Sequence, residues 1–395
     1  MNRDPRPAPA GPASRDLPPL EPQETALLGA LLAGGVEGQS VLYIGGDRGA
    51  LGLHVQEGGA AETTIVAANR YAIEDIARLS AARGAPPDLV HGHWIRGATG
   101  DRQFDNIVCS LPDCVVADPL WWIKRMMAKA GKRLIVEVDT PRLADLGYIL
   151  APFLWWCPVV WLPKPPKPGR QLRRACLLTP SALRNLFQYH TSAFEPVSIA
   201  RSPVPGRLIV EARRRVVRNL VVVTGPTSSG KSTFAKRLVS APEFRARFGL
   251  TGEWQYARGR DVVNLEPGVI ENLIVELDLM AIETDDIGNF GEIPQFHILG
   301  CAEQVRILTV LPTPPPGHLP MSPAEETRVV RKCGLLGDAL VAYYRSQGDG
   351  RIIRDLYSSW FDWIAVKAPQ QNKLVLNDYS EFNEVPLEAF DTYFG

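Results

Sequence analysis

One stretch constrains this chain more than any other. Asn219-Leu-Val-Val-Val-Thr-Gly225 is an apolar run that opens into Gly225-Pro-Thr-Ser-Ser-Gly230-Lys231-Ser232-Thr233, and Phe234-Ala-Lys-Arg-Leu-Val239 continues with helical character. A Val-rich run of this kind predicts a strand buried on both faces, which needs parallel neighbours and covering helices. The glycines predict backbone turns that a Cβ would obstruct. Strand, glycine turn and helix in that order predict an α/β fold.

An earlier stretch has the same outline. Ser40-Val-Leu-Tyr-Ile-Gly45-Gly46 is apolar up to a glycine turn that runs on to Gly49. In that half, strands are expected at 41–45, 63–67, 106–109 and 133–138, helices at 21–33, 71–83 and 119–129, and a closing strand at 207–212. In the other half, strands are expected at 220–224, 272–278, 306–311 and 363–367, with helices at 231–239, 324–344 and 352–360. Alternation of this kind predicts parallel sheets with helices on both faces. Residues 211–218 read as a basic seam with no strand or helix of their own, which places a boundary near Arg213–Arg215. The expected organisation is a disordered leader over 1–22, a domain over 23–213 and a second over 214–395. The leader rests on seven prolines with no apolar core to a secretory signal.

Composition narrows the function classes. The 395 residues carry 43 Lys+Arg against 43 Asp+Glu, a balance that argues against bulk nucleic-acid binding. The six cysteines show no C-x-x-C and no paired spacing, so reduced thiols in a cytoplasmic protein are expected rather than a disulfide framework or zinc knuckle. His91 and His93 could share a strand face, but no further His or Cys completes a metal-ligand spacing.

Gly225 to Ser232 matches G-x-x-x-x-G-K-[ST] in full. In this pattern successive backbone N–H groups of Gly225, Pro226, Thr227, Ser228, Ser229 and Gly230 curl around phosphate oxygens, proline excepted, at a helix N-terminus that favours negative charge. Lys231 is expected to reach the β- and γ-phosphates of ATP, Ser232 to ligate Mg²⁺, and Thr233 to add a hydroxyl contact. The alternative is a chance glycine turn. Asp278, after Leu273-Ile-Val-Glu-Leu, is the first-choice acid for the metal, with Asp285 and Asp286 second. Its bland alternative is a solvated strand-end acid. Arg328 and Arg331, three apart on an expected helix, could meet developing phosphoryl charge, or could form a solvated face with Glu325 and Glu326.

On these residues the second half resembles P-loop kinases of the nucleotide- or small-molecule-kinase type, over about 180 residues. The first half resembles Rossmann-like methyltransferases that use S-adenosylmethionine, over about 190 residues. That likeness rests on Val41-Leu-Tyr-Ile-Gly45-Gly46-Asp47-Arg48-Gly49, on Phe104 to Asp113, on Gly131 to Glu137, and on a closing helix and hairpin over 178–212. It implies that Gly45, Gly46 and Gly49 approach the cofactor and that Asn69 holds its ribose. Three positions depart from the pattern: Tyr43 stands where an acid is usual, Asp47 where a glycine is usual, and Ala67 or Ala68 where a ribose-binding acid is usual.

The resulting fold expectation is α/β with two doubly wound parallel-sheet domains, a methyltransferase-like Rossmann fold and then a P-loop NTPase fold. Residues 146–162 carry no charge and three Trp, and a Lys/Arg/Pro-rich segment follows to 174. This stretch is expected as a lid, or as a peripheral membrane contact. The functional expectation is transfer of phosphate from Mg·ATP to a small-molecule or glycan acceptor. Two alternatives stay open: an ATP-dependent regulatory or assembly protein with a non-catalytic methyltransferase-like half, and a methyltransferase regulated by a nucleotide-binding half.

Overall fold

The computed structural model describes residues 17–45, 50–67, 70–81, 87–91, 102–110, 119–140, 159–164, 173–266, 268–279, 290, 293–313, 322–345, 351–367, 372–378 and 381–394. The chain divides into two compact units, one of residues 1–186 with 196–214 and one of 187–195 with 215–395.

The first unit is built on a seven-stranded sheet. Its strands are β1 (Ser40–Ile44), β2 (Glu62–Ala67), β3 (Asp88–His91), β4 (Phe104–Cys109), β5 (Ala130–Asp139), β8 (Phe194–Arg201) and β9 (Arg207–Arg214), in the order β3-β2-β1-β4-β5-β9-β8. The pairs from β3 to β5 are parallel, and β9 runs antiparallel to β5. From β1 the chain steps out to β2 and β3, then returns to β4 and β5 on the other side. Right-handed crossovers therefore put helices on opposite faces and leave a crevice at the carboxyl ends of β1 and β4. Leu27 and Leu31 of the helix Pro22–Ala33 and Leu51 of the helix Ala50–Glu57 pack with Val41, Tyr43, Ile65, Val108 and Ile135 in one core cluster. Arg133 is buried at the other end of this sheet. It donates to the carbonyls of Leu31 and Gly35 at 2.8 and 2.9 Å, at and just past the end of the helix Pro22–Ala33.

The second unit has six strands. They are β10 (Val216–Thr224), β11 (Gln255–Arg258), β12 (Val269–Glu276), β13 (Ala302–Pro312), β14 (Asn372–Asp378) and β15 (Glu381–Val385), in the order β11-β12-β10-β13-β14-β15. Only the β14–β15 pair is antiparallel. The central strand β10 thus ends between β12 and β13. The helix Lys231–Ser240 that follows it is anchored by Phe234, whose ring lies 4.9 Å from Phe382 and 5.0 Å from Phe248.

Several sequence expectations change here. The basic seam does have structure: β9 runs to Arg214 and β10 begins at Val216. Ala212 and Val217 are buried in the two sheets while Val216 is exposed, and the seam's arginines find acceptors. Residues 363–367 are no strand but the end of the helix Arg351–Lys367. Ile353, Leu356, Tyr357, Trp360 and Ile364 are buried at helical spacing, and that period outweighs the short apolar run. From Leu17 onward the leader is packed, with Leu17 and Leu20 against the first unit's core. In the Trp-rich segment, β6 (Val159–Lys164) and β7 (Arg173–Leu178) form an antiparallel hairpin, and 141–158 and 165–172 lie outside the described residues. Among the described residues no helix is long and apolar enough to cross a membrane.

The helical run Pro323–Tyr344 is not straight. The Arg345 guanidinium donates to the Glu326 carboxylate at 2.7 Å across 19 positions, which in a straight helix would lie about 28 Å apart at ~1.5 Å per residue. Gly337 also packs against Val329, so the run folds back between them.

Candidate functional site

The loop Gly225–Gly230 joins the end of β10 to the helix Lys231–Ser240. Three of its residues take positive φ: Gly225 at 148°, Ser228 at 70° and Gly230 at 88°. A Cβ at Gly225 would stand 2.2 Å from the Val310 carbonyl oxygen, so only glycine fits there. Ser228 holds the left-handed conformation without being glycine, a mild strain at an exposed loop tip. Asn377 of β14 fixes the loop from below, its amide donating to the Ser229 carbonyl at 2.9 Å.

Lys231 is the first residue of the helix, and the first turn contains no acid. A cation there opposes the helix dipole and calls for an anion beside it. The side chain is nearly buried, at 6% exposure, with its ammonium 3.6 Å from an Asp278 carboxylate oxygen and donating to the Pro226 carbonyl at 3.1 Å. Ser232 behaves differently. Its hydroxyl donates to Glu276 Oε1 at 2.6 Å. Glu276 is the last residue of β12 and pairs in register with Val223, so its side chain emerges beside the loop. Asp278 lies two residues past the strand end and reaches Lys231 rather than Ser232. The carboxylate that meets Ser232 was therefore not the one singled out from the sequence, although Glu276 stands in the same apolar run.

Glu276 is held from its other side too. Tyr256 of β11 donates its hydroxyl to Oε2 at 2.5 Å, and the Arg258 guanidinium lies 3.8 Å from the same oxygen. Burial, then the hydrogen bond to Glu276, pushes the Tyr256 phenol up to about 12.

The fold-back of the run Pro323–Tyr344 also reaches the loop. Cys333 lies within it, and its sulfur is 3.6 Å from the Thr227 hydroxyl, both side chains buried. Arg331 is two residues from this contact and exposed, while Arg328 is exposed and lies close enough to lower the Glu325 carboxyl, behind the stronger influence of the Ser322 cap. Thr233 is exposed on the helix. Asp285 and Asp286 lie outside the described residues. At the opposite, amino-terminal edge of the same sheet is a cleft of about 470 Å³, lined by Asn219, Asn272, Gln304, Arg306 and Trp254 among others, which shares no residue with the loop.

In the first unit, Gly45 directly follows β1 at φ 116° and its amide donates to the Val66 carbonyl. Gly46, Gly49, Asn69 and His93 lie outside the described residues. Among the described residues no group of three or more His, Cys, Asp or Glu is arranged to hold a metal.

No family model matches the chain, and no curated protein matches it in sequence. Solved structures do resemble it. Magnesium protoporphyrin IX methyltransferase from Synechocystis PCC 6803, with bound SAH, is 15% identical with a TM-score of 0.35, covering 49% of this chain and 81% of that one. An S-adenosylmethionine-dependent methyltransferase from Mesorhizobium loti has the same identity and TM-score and covers 49% and 98%. The CcbJ methyltransferase from Streptomyces caelestis is 14% identical at a TM-score of 0.34, covering 50% and 90%. At TM-scores this low the likenesses decide no function. The strand order and closing antiparallel strand of the first unit are themselves the Rossmann-like arrangement expected of that half.

Proposed function

We propose that the second unit binds ATP through Gly225–Lys231 and passes its terminal phosphoryl group to a small-molecule or glycan hydroxyl. The observation that carries this reading is the loop itself: positive-φ residues, a nearly buried lysine and an acid-free helix start converge on one point. A polyphosphate would add negative charge at a helix start whose own first turn holds no acid, and would draw the Lys231 ammonium away from Pro226 and Asp278. The Ser232 hydroxyl and the Glu276 carboxylate are hard oxygen donors of the kind that Mg²⁺ accepts alongside phosphate and water. Bound Mg²⁺ would neutralise developing charge on the phosphates. Arg328 and Arg331, both exposed on the helical run, are the cations this reading assigns to the transferred group.

A second reading is methyl transfer by the first unit, with the nucleotide site regulating it. It is supported by the sheet order and by Gly45 at the crevice between β1 and β4. One calorimetric series tests both readings. ATP should bind the wild-type chain in the presence of Mg²⁺ and bind Lys231→Ala at least tenfold more weakly, the loss of a charge-assisted contact worth about 1.5–3 kcal/mol. Equal affinity in the two proteins would overturn the nucleotide reading. Absence of S-adenosylmethionine binding at millimolar ligand would overturn the second.

A further inference from the structure

Glu276 is a nearly buried carboxylate with each oxygen claimed from a different side. Oε1 accepts from Ser232 at 2.6 Å, and Oε2 accepts from Tyr256 at 2.5 Å. Tyr256 and Arg258 are two apart on β11 and so share a face, with Arg258 in register beside Glu276. The Arg258 guanidinium faces both the Tyr256 hydroxyl and, from 3.8 Å, the same Glu276 oxygen, so with the phenol removed it is left with Glu276 to turn to. A guanidinium–carboxylate hydrogen bond is stronger than a phenol–carboxylate one, so an unrestrained Glu276 would turn toward Arg258 and leave Ser232.

We propose that Tyr256 is a positioning residue that holds Glu276 on the Ser232 hydroxyl against the pull of Arg258. The inference rests on the nucleotide reading above and assigns the edge strand β11 a part in it. Ser232 is then oriented through a two-step relay, Tyr256 to Glu276 to Ser232. Asp278 is left to balance Lys231.

The test is nucleotide affinity measured by calorimetry over graded Mg²⁺ and in chelator, for wild type, Tyr256→Phe, Arg258→Gln and the double variant. Phenylalanine keeps the ring packed, and Arg258 is half exposed, so all four chains should fold; circular dichroism checks this. Loss of an outer partner of this kind costs roughly 10–100-fold in metal affinity. Tyr256→Phe should raise the Mg²⁺ needed for half-saturation by about tenfold, with chelator-measured affinity unchanged. Arg258→Gln alone should behave as wild type. The double variant should recover most of the Mg²⁺ response, because nothing then draws Glu276 away. An unchanged Mg²⁺ response in Tyr256→Phe would overturn the proposal, as would an equal loss with and without Mg²⁺ that the second substitution does not rescue. Wild type that binds no nucleotide under any condition would sink the nucleotide reading, and this inference with it.

Discussion

Tyr43 is fully buried in the middle of β1, and its hydroxyl donates to Glu24 Oε1 at 3.2 Å. Burial first, and the Glu24 charge second, hold its phenol well above the ordinary tyrosine value of 10.0. The sign of the pH effect follows. As pH rises through about 10, the unfolded chain releases this proton and the folded chain keeps it, so stability present below pH 10 is lost above it. One such group costs about 1.4 kcal/mol for each pH unit above 10. Tyr43→Phe should therefore lose about 1 kcal/mol near pH 7.5, for the missing hydrogen bond, and show a shallower alkaline decline than wild type. Urea titrations at pH 7.5 and 10.8 check this; parallel declines would show that Tyr43 is not the titrating group. The sequence made Tyr43 legible as a departure from an acidic position. It could not show that Glu24, 19 positions earlier on another element, supplies a carboxylate to it. Gly225 and Gly230 were legible because the requirement they meet is local: each stands where the backbone turns to positive φ.

At the scale of elements, period and length were readable, and ends and bends were not. Residues 363–367 joined a helix because the buried positions before them already set a helical face. The strand β12 stops at Glu276, two residues short of expectation, and this shift is why Glu276 rather than Asp278 faces Ser232. The run Pro323–Tyr344 carries a sequence signal for its start, since Ser322 and Glu325 form a reciprocal cap, but none for the fold-back that brings Glu326 to Arg345. Gly337 is the residue that permits the fold-back, because a Cβ there would lie 2.7 Å from the Val329 carbonyl oxygen and 2.9 Å from Val330 Cα. Helix propensity alone makes alanine better than glycine by about 1 kcal/mol. Steric crowding of backbone reverses that sign, so Gly337→Ala should destabilise by about 1–3 kcal/mol. Gly29, in the helix Pro22–Ala33 with nothing within 4 Å of its would-be Cβ, is the control and should gain about 0.5–1 kcal/mol as alanine. Thermal unfolding of the two variants reads the opposite signs. A stabilised Gly337→Ala would mean that the helical run can straighten.

The whole chain was legible as two α/β sheets in the right order, since each half announces itself with an apolar strand and a glycine turn. Chain order hides the excursion of residues 187–195, which pack with the second unit although their neighbours on both sides belong to the first. The excursion is held by specific bonds. The Ser192 hydroxyl accepts from the Ile298 amide at 2.9 Å, the Arg215 amide donates to the Ala193 carbonyl at 2.8 Å, and the His297 ring meets the Thr191 hydroxyl at 3.1 Å. Arg215 and Glu195 form an ion pair at 3.1 Å with side chains only 4% and 9% exposed. A fragment of residues 215–395 would keep the buried Arg215 and lose its carboxylate, and breaking such a pair from one side costs about 3–5 kcal/mol. It would also leave the Ile298 amide without its acceptor. A fragment of residues 187–395 keeps every one of these contacts, because all of them lie inside the second unit. The longer fragment should therefore give a cooperative thermal transition and the shorter one should unfold at least 10 °C lower or fail to fold, a shift in keeping with about 2–4 °C per kcal/mol for a unit of this size. Equal stability of the two fragments would show that the excursion contributes nothing, and would move the edge of the second unit back to the seam at which the sequence alone divides the chain.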